Sequence, residues 1–214
     1  MISRCSGMVL AGGSNARFGG AAKGLFDLGG RRVVDWTLEA VSKVTDELLL
    51  ITNDAVVRAA LPEVAARADA RPERGSLVGV HSALSYCNEA ALVVGWDMPF
   101  LSPELLRALR HEGEKAGAAA IPEGSDGLEP LCAYYPKPCL DVAERQLARG
   151  EMRLSAFVAS LSDKIVVGLD AVRRFGVPER MFANLNTAVE LEAARSLVRD
   201  GHRTLELTAP SETQ

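Results

Sequence analysis

Apolar and polar positions along this chain of 214 residues fall into short alternating blocks, and the blocks change period. "GMVLAGG" (7–13) is an apolar run ending in glycines and predicts a buried strand followed by a turn. In "RVVDWTLEAVSKV" (32–44) the apolar positions Val33, Trp36 or Thr37, Ala40 and Val44 recur at the helical period. "DELLLIT" (46–52) returns as a strand, so the chain begins strand–loop–helix–strand, the start of an α/β unit. "LVGVHSALSYC" (77–87) predicts a helix, and "AALVVGWD" (90–97) a strand whose nearly unbroken apolar run suits a sheet covered on both faces. "SPELLRALRHEGEKAG" (102–117) is the next helix. "AGAAAIP" (116–122) and "PLCAYYP" (130–136) follow as strands. "PCLDVAERQLARG" (138–150) and "MRLSAFVASL" (152–161) are helical, "KIVVGL" (164–169) is a strand, and "NTAVELEAARSLVRDG" (186–201) is the last helix.

End signals sharpen several of these boundaries. Ser102 is placed to cap, and Pro103 suits a first helical position, where its missing amide hydrogen is not needed. Thr187 and Glu190 have the spacing of a capping box, and Gly201 is the expected stop of the last helix. The alternation predicts an α/β fold of three layers, a mostly parallel central sheet between helices, in one domain over residues 1–201 with a polar tail over 202–214.

Composition changes this picture little but excludes several functions. The chain is 48% hydrophobic, enough for a substantial core, and its formal charge of −4 gives no bulk attraction to nucleic acid or anionic membrane. No run reaches the length of a membrane span and the N-terminus lacks the apolar core of an export signal, so a cytoplasmic protein is expected. Cys5, Cys87, Cys132 and Cys139 have no C-x-x-C spacing, which favours reduced thiols over bridges or zinc. His81, His111 and His202 stand isolated and are expected on the surface without chemistry.

In parallel sheets of this kind ligands bind beyond the C-terminal ends of the strands, so polar residues directly after apolar runs are the candidates. Three places qualify: the glycine loop after "MVL", Asn53 after "LLLIT", and Asp97 after "ALVVGW". The loop "GGSNARFGGAAKG" (12–24) is neither G-x-x-x-x-G-K-[ST] nor G-x-G-x-x-G. Gly12 and Gly13 can still present amide hydrogens to phosphate oxygens, Arg17 offers a phosphate fork and Lys23 a mobile charge. Gly19, Gly20 and Gly24 are expected to permit close approach of that phosphate. Asp97 reads either as a cap or turn residue or as a magnesium ligand, since Mg2+ needs few protein carboxylates when substrate phosphates complete its shell.

Taken with their order, these residues make the chain resemble the molybdenum cofactor guanylyltransferases, within the nucleotidyltransferase-like α/β proteins. "LAGGSNARFG" followed by Lys23, "GSLVG" (75–79), "GWDMPF" (95–100), "LEPLCAYY" (128–135) and "NLNTAVEL" (184–191) match that family's landmarks from residue 9 to residue 191. The resemblance implies a Rossmann-like nucleotidyltransferase fold and transfer of GMP from GTP to the terminal phosphate of molybdopterin, with Mg2+ as cofactor and pyrophosphate released. It implies that Leu10, Ala11, Gly12 and Gly13 wrap the GTP, that Arg17 and Lys23 contact its phosphates, and that Asp97 holds the metal. Asn53 and Asp69 would lie in the nucleotide pocket, and Asn184 and Asn186 would line the far side of the cleft, toward molybdopterin. Transient contacts with proteins that supply molybdopterin or accept the product are implied, and none with nucleic acid or membrane.

The sister activity uses CTP; "LAGG" rather than "LAAG" at 10–13 favours GTP, because Gly12 leaves room for a purine. A sugar-phosphate nucleotidyltransferase would lack the closing "NLNT", and a non-catalytic relative would be expected to have lost Lys23 or Asp97. Three departures stand out: Ile51 replaces a family asparagine, and Ser76 and Ala188 replace prolines.

Overall fold

A computed structural model describes residues 4–12 and 22–208, with side chains of the second segment as far as Arg199. The Gly13, Arg17, Gly19 and Gly20 assignments therefore lie outside the described residues.

In chain order, β1 (Cys5–Leu10) leads to the small hairpin of β2 (Asp27–Leu28) and β3 (Arg31–Arg32), then α1 (Val33–Ser42) and β4 (Glu47–Ile51). α2 (Ala55–Ala60), β5 (Ala66–Arg67), α3 (Ser76–Tyr86) and β6 (Ala90–Gly95) follow. The second half contains α4 (Pro103–Ala116), β7 (Ala119–Gly124), β8 (Gly127–Leu128), β9 (Cys132–Pro136), α5 (Cys139–Ala148), α6 (Leu154–Ser160) and β10 (Lys164–Val167). α7 (Leu169–Val172), α8 (Pro178–Met181) and α9 (Ala188–Thr208) close the described chain. The sheet runs β10-β7-β9-β6-β1-β4-β5, with β8 paired to β7 outside that path.

β1 is parallel to both β4 and β6, β4 to β5, and β10 to β7. The expectation of a mostly parallel sheet holds with one insertion, since β9 is antiparallel to both β6 and β7. The reason is chain length. The link from Gly124 to Cys132 is far too short for a parallel crossover, which needs about a dozen residues or more, so the strand can only return antiparallel.

All six residues of β1 and of β6 are buried, because helices cover both faces. Alternation along β1 sends Cys5 and Val9 into a core shared with α1 and α4, while Met8 and Leu10 pack with α3, α5 and α6. A third, smaller core joins Leu28 and Val33 to Leu185, Leu191, Ala194 and Val198, which clamps α9 onto the β2–β3 hairpin.

Helix ends agree with the sequence signals in part. Ser102 Oγ accepts from the Leu105 amide at 3.3 Å, with Pro103 in the first turn. α2 is too short to announce itself by periodicity, yet Asp54 caps it, its carboxylate accepting from the Val56 amide at 2.8 Å. At α9, Thr187 Oγ1 accepts from the Glu190 amide at 3.2 Å, but the Glu190 carboxylate reaches back to the amide of Asn186, at 2.7 Å, rather than that of Thr187. Gly201 does not end the helix, which continues to Thr208; a glycine within a helix costs only about 1 kcal/mol relative to alanine, too little to stop it unaided. His81 corrects another expectation: it is 5% exposed, facing inward from α3, with Nε2 3.7 Å from Glu144 on α5. Burial holds its pKa below the ordinary imidazole value. His111 is exposed as expected, and no helix among the described residues is long and apolar enough to cross a membrane.

Candidate active site

Strand register brings the candidates to one edge. Leu10, the last residue of β1, lies opposite Ile51 of β4 and Gly95 of β6, so the chain leaves all three strands at the same level. Ala11–Gly12, Thr52–Asn53 and Trp96–Asp97 therefore emerge side by side. Two backbone bonds fix the exits: Ala11 N donates to Ile51 O at 2.9 Å, and Trp96 N to Leu10 O at 3.2 Å. Gly12 faces open space, since a Cβ there would meet nothing within 4 Å.

Asp97 is 7% exposed, and its carboxylate does not stand alone. Lys23 Nζ donates both to Asp97 Oδ2 and to Asn186 Oδ1, joining residues far apart in the chain. This ion pair is largely shielded from water, with side-chain exposures of 17% and 10%. Each partner is held from behind. The Thr37 hydroxyl of α1 donates to Met98 O at 3.1 Å, fixing the turn after β6. Leu185 N donates to Asp97 O at 3.1 Å, tying the "NLN" segment to the same turn. The Glu190 carboxylate on the Asn186 amide completes that anchorage from α9.

Lys23 sits on a single 3-10 turn, Lys23–Leu25, laid against the Trp96 indole. A Cβ on Gly24 would fall 2.3 Å from Trp96 Cε3 and 2.6 Å from Cδ2. The close approach that Gly24 permits is thus to a protein ring, not to phosphate as its place in a glycine-rich loop led us to expect. Trp96 Nε1 is buried without a hydrogen-bond partner among the described residues. The indole's contribution here is its shape.

Asn53 and Asp69 pair with one another across the ends of β4 and β5. Asn53 Nδ2 donates to Asp69 Oδ2 at 2.7 Å, and the Asp69 amide donates to Asn53 Oδ1 at 2.9 Å. Ser82 of α3 also donates to Asp69, at 3.3 Å. Ile51, which replaces a family asparagine, is 2% exposed and buried in the α3 layer. "GSLVG" forms the entry to α3: Gly75 has φ 152°, a region closed to most side chains, and Ser76 is the first helical residue. Ala188 likewise opens α9. Both departures from proline thus fall at first helical positions, where proline is tolerated but not required.

Asn184 and Asn186 line a cleft of about 340 Å3 beside the Lys23–Asp97 pair. Asn184 donates to Phe182 O at 3.3 Å. The cleft also contains Glu129, which was legible only as part of "LEPLCAYY" and carried no assigned role. Burial, then the Asp126 charge, raise its pKa to about 7.

These positions can be compared with known proteins. Residues 7–165 match the MobA-like NTP transferase domain family. A molybdenum cofactor guanylyltransferase of Desulfosudis oleivorans is 34% identical over 203 residues, covering 92% of this chain and 96% of that protein. One from Cereibacter sphaeroides is 32% identical, covering 92% and 98%. The chain belongs to the molybdenum cofactor guanylyltransferase family. The crystal structure of molybdopterin-guanine dinucleotide biosynthesis protein A from Archaeoglobus fulgidus superposes with a TM-score of 0.79 at 31% identity, over 91% of this chain and 99% of that one. In this family's α/β nucleotidyltransferase fold, the matched domain region carries Lys23, Asp97, Asn53 and Asp69, while Asn184 and Asn186 lie beyond residue 165.

Does the site fit a magnesium ion? Among the described residues no three acidic, histidine or cysteine side chains gather as a ready-made cage. A single buried carboxylate at the strand end suits Mg2+, which takes one or two carboxylates and fills its remaining positions with water and substrate phosphates.

Proposed function

We propose that this chain transfers GMP from GTP to the terminal phosphate of molybdopterin, forming the guanine dinucleotide cofactor and releasing pyrophosphate. The observation that carries the proposal is the meeting of Lys23, Asp97 and Asn186 at the C-terminal edge of the sheet. A cation, a candidate metal carboxylate and a residue of the neighbouring cleft share one point there.

In this reading Gly12, with Leu10 and Ala11 behind it, lets the triphosphate approach the backbone, and Gly13 and Arg17 belong to the same phosphate-binding loop. Lys23 leaves Asp97 for the phosphates of the bound nucleotide. Bound at Asp97 together with the triphosphate, Mg2+ would supply charge neutralisation as a Lewis acid. Asn53 and Asp69, already paired, flank the nucleoside. Asn184 and Asn186 orient molybdopterin. A phosphate oxygen of molybdopterin forms the new bond to the α-phosphorus of GTP as the bond to the β-phosphate bridge breaks, and pyrophosphate carries off that electron pair. With a second pKa near 6 the attacking phosphate is already largely ionised, so no general base is needed. The protein's task is electrostatic: bringing two anions together and stabilising the leaving group.

Calorimetric titration with GTP, CTP and ATP in magnesium, beside turnover with GTP and molybdopterin, tests this reading on the wild type and on Asp97→Ala. We expect GTP to bind most tightly, and the variant to lose about 100-fold or more in turnover, the scale of removing a principal electrostatic group. CTP preference would overturn the guanine assignment. Near-normal magnesium-dependent turnover in Asp97→Ala would sink the metal assignment.

A further inference from the structure

The cleft lined by Asn184 and Asn186 has an unusual charge pattern. Lys23 stands at its inner end, reached through Asn186, whereas the described residues lining it include Asp126, Glu129, Glu179 and Glu190 but no lysine, arginine or histidine. Two of these carboxylates are engaged, since Ser125 donates to Glu179 and the Asn186 amide to Glu190. The Glu129 carboxylate accepts no hydrogen bond from any described residue, and burial and Asp126 are the influences on its charge.

Its position is nonetheless built. The β7–β8 hairpin folds the chain back so that Glu129 N donates to Pro122 O at 2.9 Å, which lays the side chain over Gly124. A Cβ on Gly124 would fall 2.7 Å from Glu129 Oε1 and 3.2 Å from Phe182 Cδ2. Only glycine leaves room for a carboxylate and an aromatic ring to share this end of the cleft.

A half-buried carboxylate without a partner among the described residues calls for a donor, and the cleft read as the molybdopterin site, on which this inference rests, supplies one. Molybdopterin has a phosphate at one end and an aminopyrimidinone at the other, whose N3–H and 2-amino groups are two parallel donors. We propose that Glu129 reads the pterin ring, its two oxygens accepting from N3–H and the 2-amino group. Molybdopterin then lies with its phosphate toward Lys23 and its ring toward the β7–β8 turn. The reverse orientation would set a phosphate dianion against Asp126, Glu129 and Glu179. Glu129 is thus a specificity residue, choosing the donor–donor edge of a pterin over the donor–acceptor edge of a lumazine, in which an oxo group replaces the 2-amino group.

The test compares 6-hydroxymethylpterin phosphate with 6-hydroxymethyllumazine phosphate, each titrated by its own fluorescence against the full chain saturated with a non-hydrolysable magnesium–GTP analogue. Wild type is expected to bind the pterin about tenfold or more tightly than the lumazine, and Glu129→Gln, which offers one acceptor and one donor, to lose or reverse that preference. An unchanged preference in Glu129→Gln, or none in wild type, would overturn the proposal. Failure of the GTP analogue to bind in the preliminary titration would instead count against the enzyme reading.

The pH dependence follows from the same residue. Between the ordinary glutamate range and about 7 the folded state keeps a proton that the unfolded chain has released, so this group's contribution to stability falls as pH rises through that window. Glu129→Gln removes that penalty. It should melt close to wild type at about pH 4 and above it at about pH 8, which also shows that the variant folds. Pterin affinity of the wild type should rise over about pH 6 to 8, as the carboxylate ionises.

Discussion

At the scale of single residues, the most informative contact is between two that lie far apart in sequence, Gly24 and Trp96. Lys23 reaches Asp97 from a turn whose Gly24 is closely packed on the Trp96 ring, and a methyl at Gly24 would overlap that ring. Overpacking of this kind costs typically about 1–3 kcal/mol, and here the strain is relieved by lifting the turn that carries Lys23. Gly24→Ala should therefore lower kcat/KM for GTP by about tenfold or more, with a modest fall in melting temperature. Trp96→Leu in the same chain makes room for the methyl, and the double variant should recover part of both losses. A double-mutant cycle in stability and turnover measures this coupling, and additive effects would mean the two residues act separately. Asp97 stood out in the sequence because chemistry at strand ends is constrained, and Lys23 because it closes the glycine-rich loop after β1. The contact that aims Lys23 did not, because nothing in a local pattern says which ring a glycine will meet.

At the scale of elements, the strands and long helices were legible because burial imposes a period. β1 and β6 are apolar throughout since both faces are covered, and α4 carries Ser102 and Pro103 at its start. What periodicity could not reveal was either short or decided by distant partners: α2 with its six residues, the antiparallel insertion of β9, and the buried His81. The start of α9 shows how an element serves the site. Thr187 caps the helix, while Glu190 holds the amide of Asn186 and so sets the side chain that meets Lys23. The two residues should separate by function. Thr187→Ala should cost about 1 kcal/mol of stability, the usual value of a lost cap, and change turnover little. Glu190→Gln keeps the size but weakens a charge-assisted bond, so it should raise the KM for molybdopterin more than it lowers the melting temperature. Steady-state kinetics beside thermal melts checks both, and equal kinetic effects from the two variants would show that Asn186 is positioned by the helix as a whole.

Across the whole molecule, the four cysteines serve as reporters of how the layers hold together. Cys5 lies in β1, Cys132 in β9 and Cys139 in α5, while Cys87 follows α3, so the set samples both apolar layers. All four are free and buried, and burial raises the pKa of each above the ordinary thiol value. Reaction with a disulfide reagent needs an accessible thiolate, and the native fold withholds both access and ionisation. The native protein at about pH 8 should therefore react slowly with an aromatic disulfide, whereas all four thiols should react promptly in denaturant. If the two layers open together, the four should label with one rate that tracks global unfolding. If Cys139 and Cys87 label ahead of Cys5 and Cys132, the α3–α5 layer opens by itself. The distinction bears on the site: Asp97 and Lys23 are braced by α1, α9 and Trp96 on the opposite face, so opening of the α3–α5 layer would disturb Asp69 and Leu10 first. A magnesium–GTP complex bound across that edge should then slow labelling of Cys87 and Cys139, because a ligand that binds only the closed form suppresses opening by mass action.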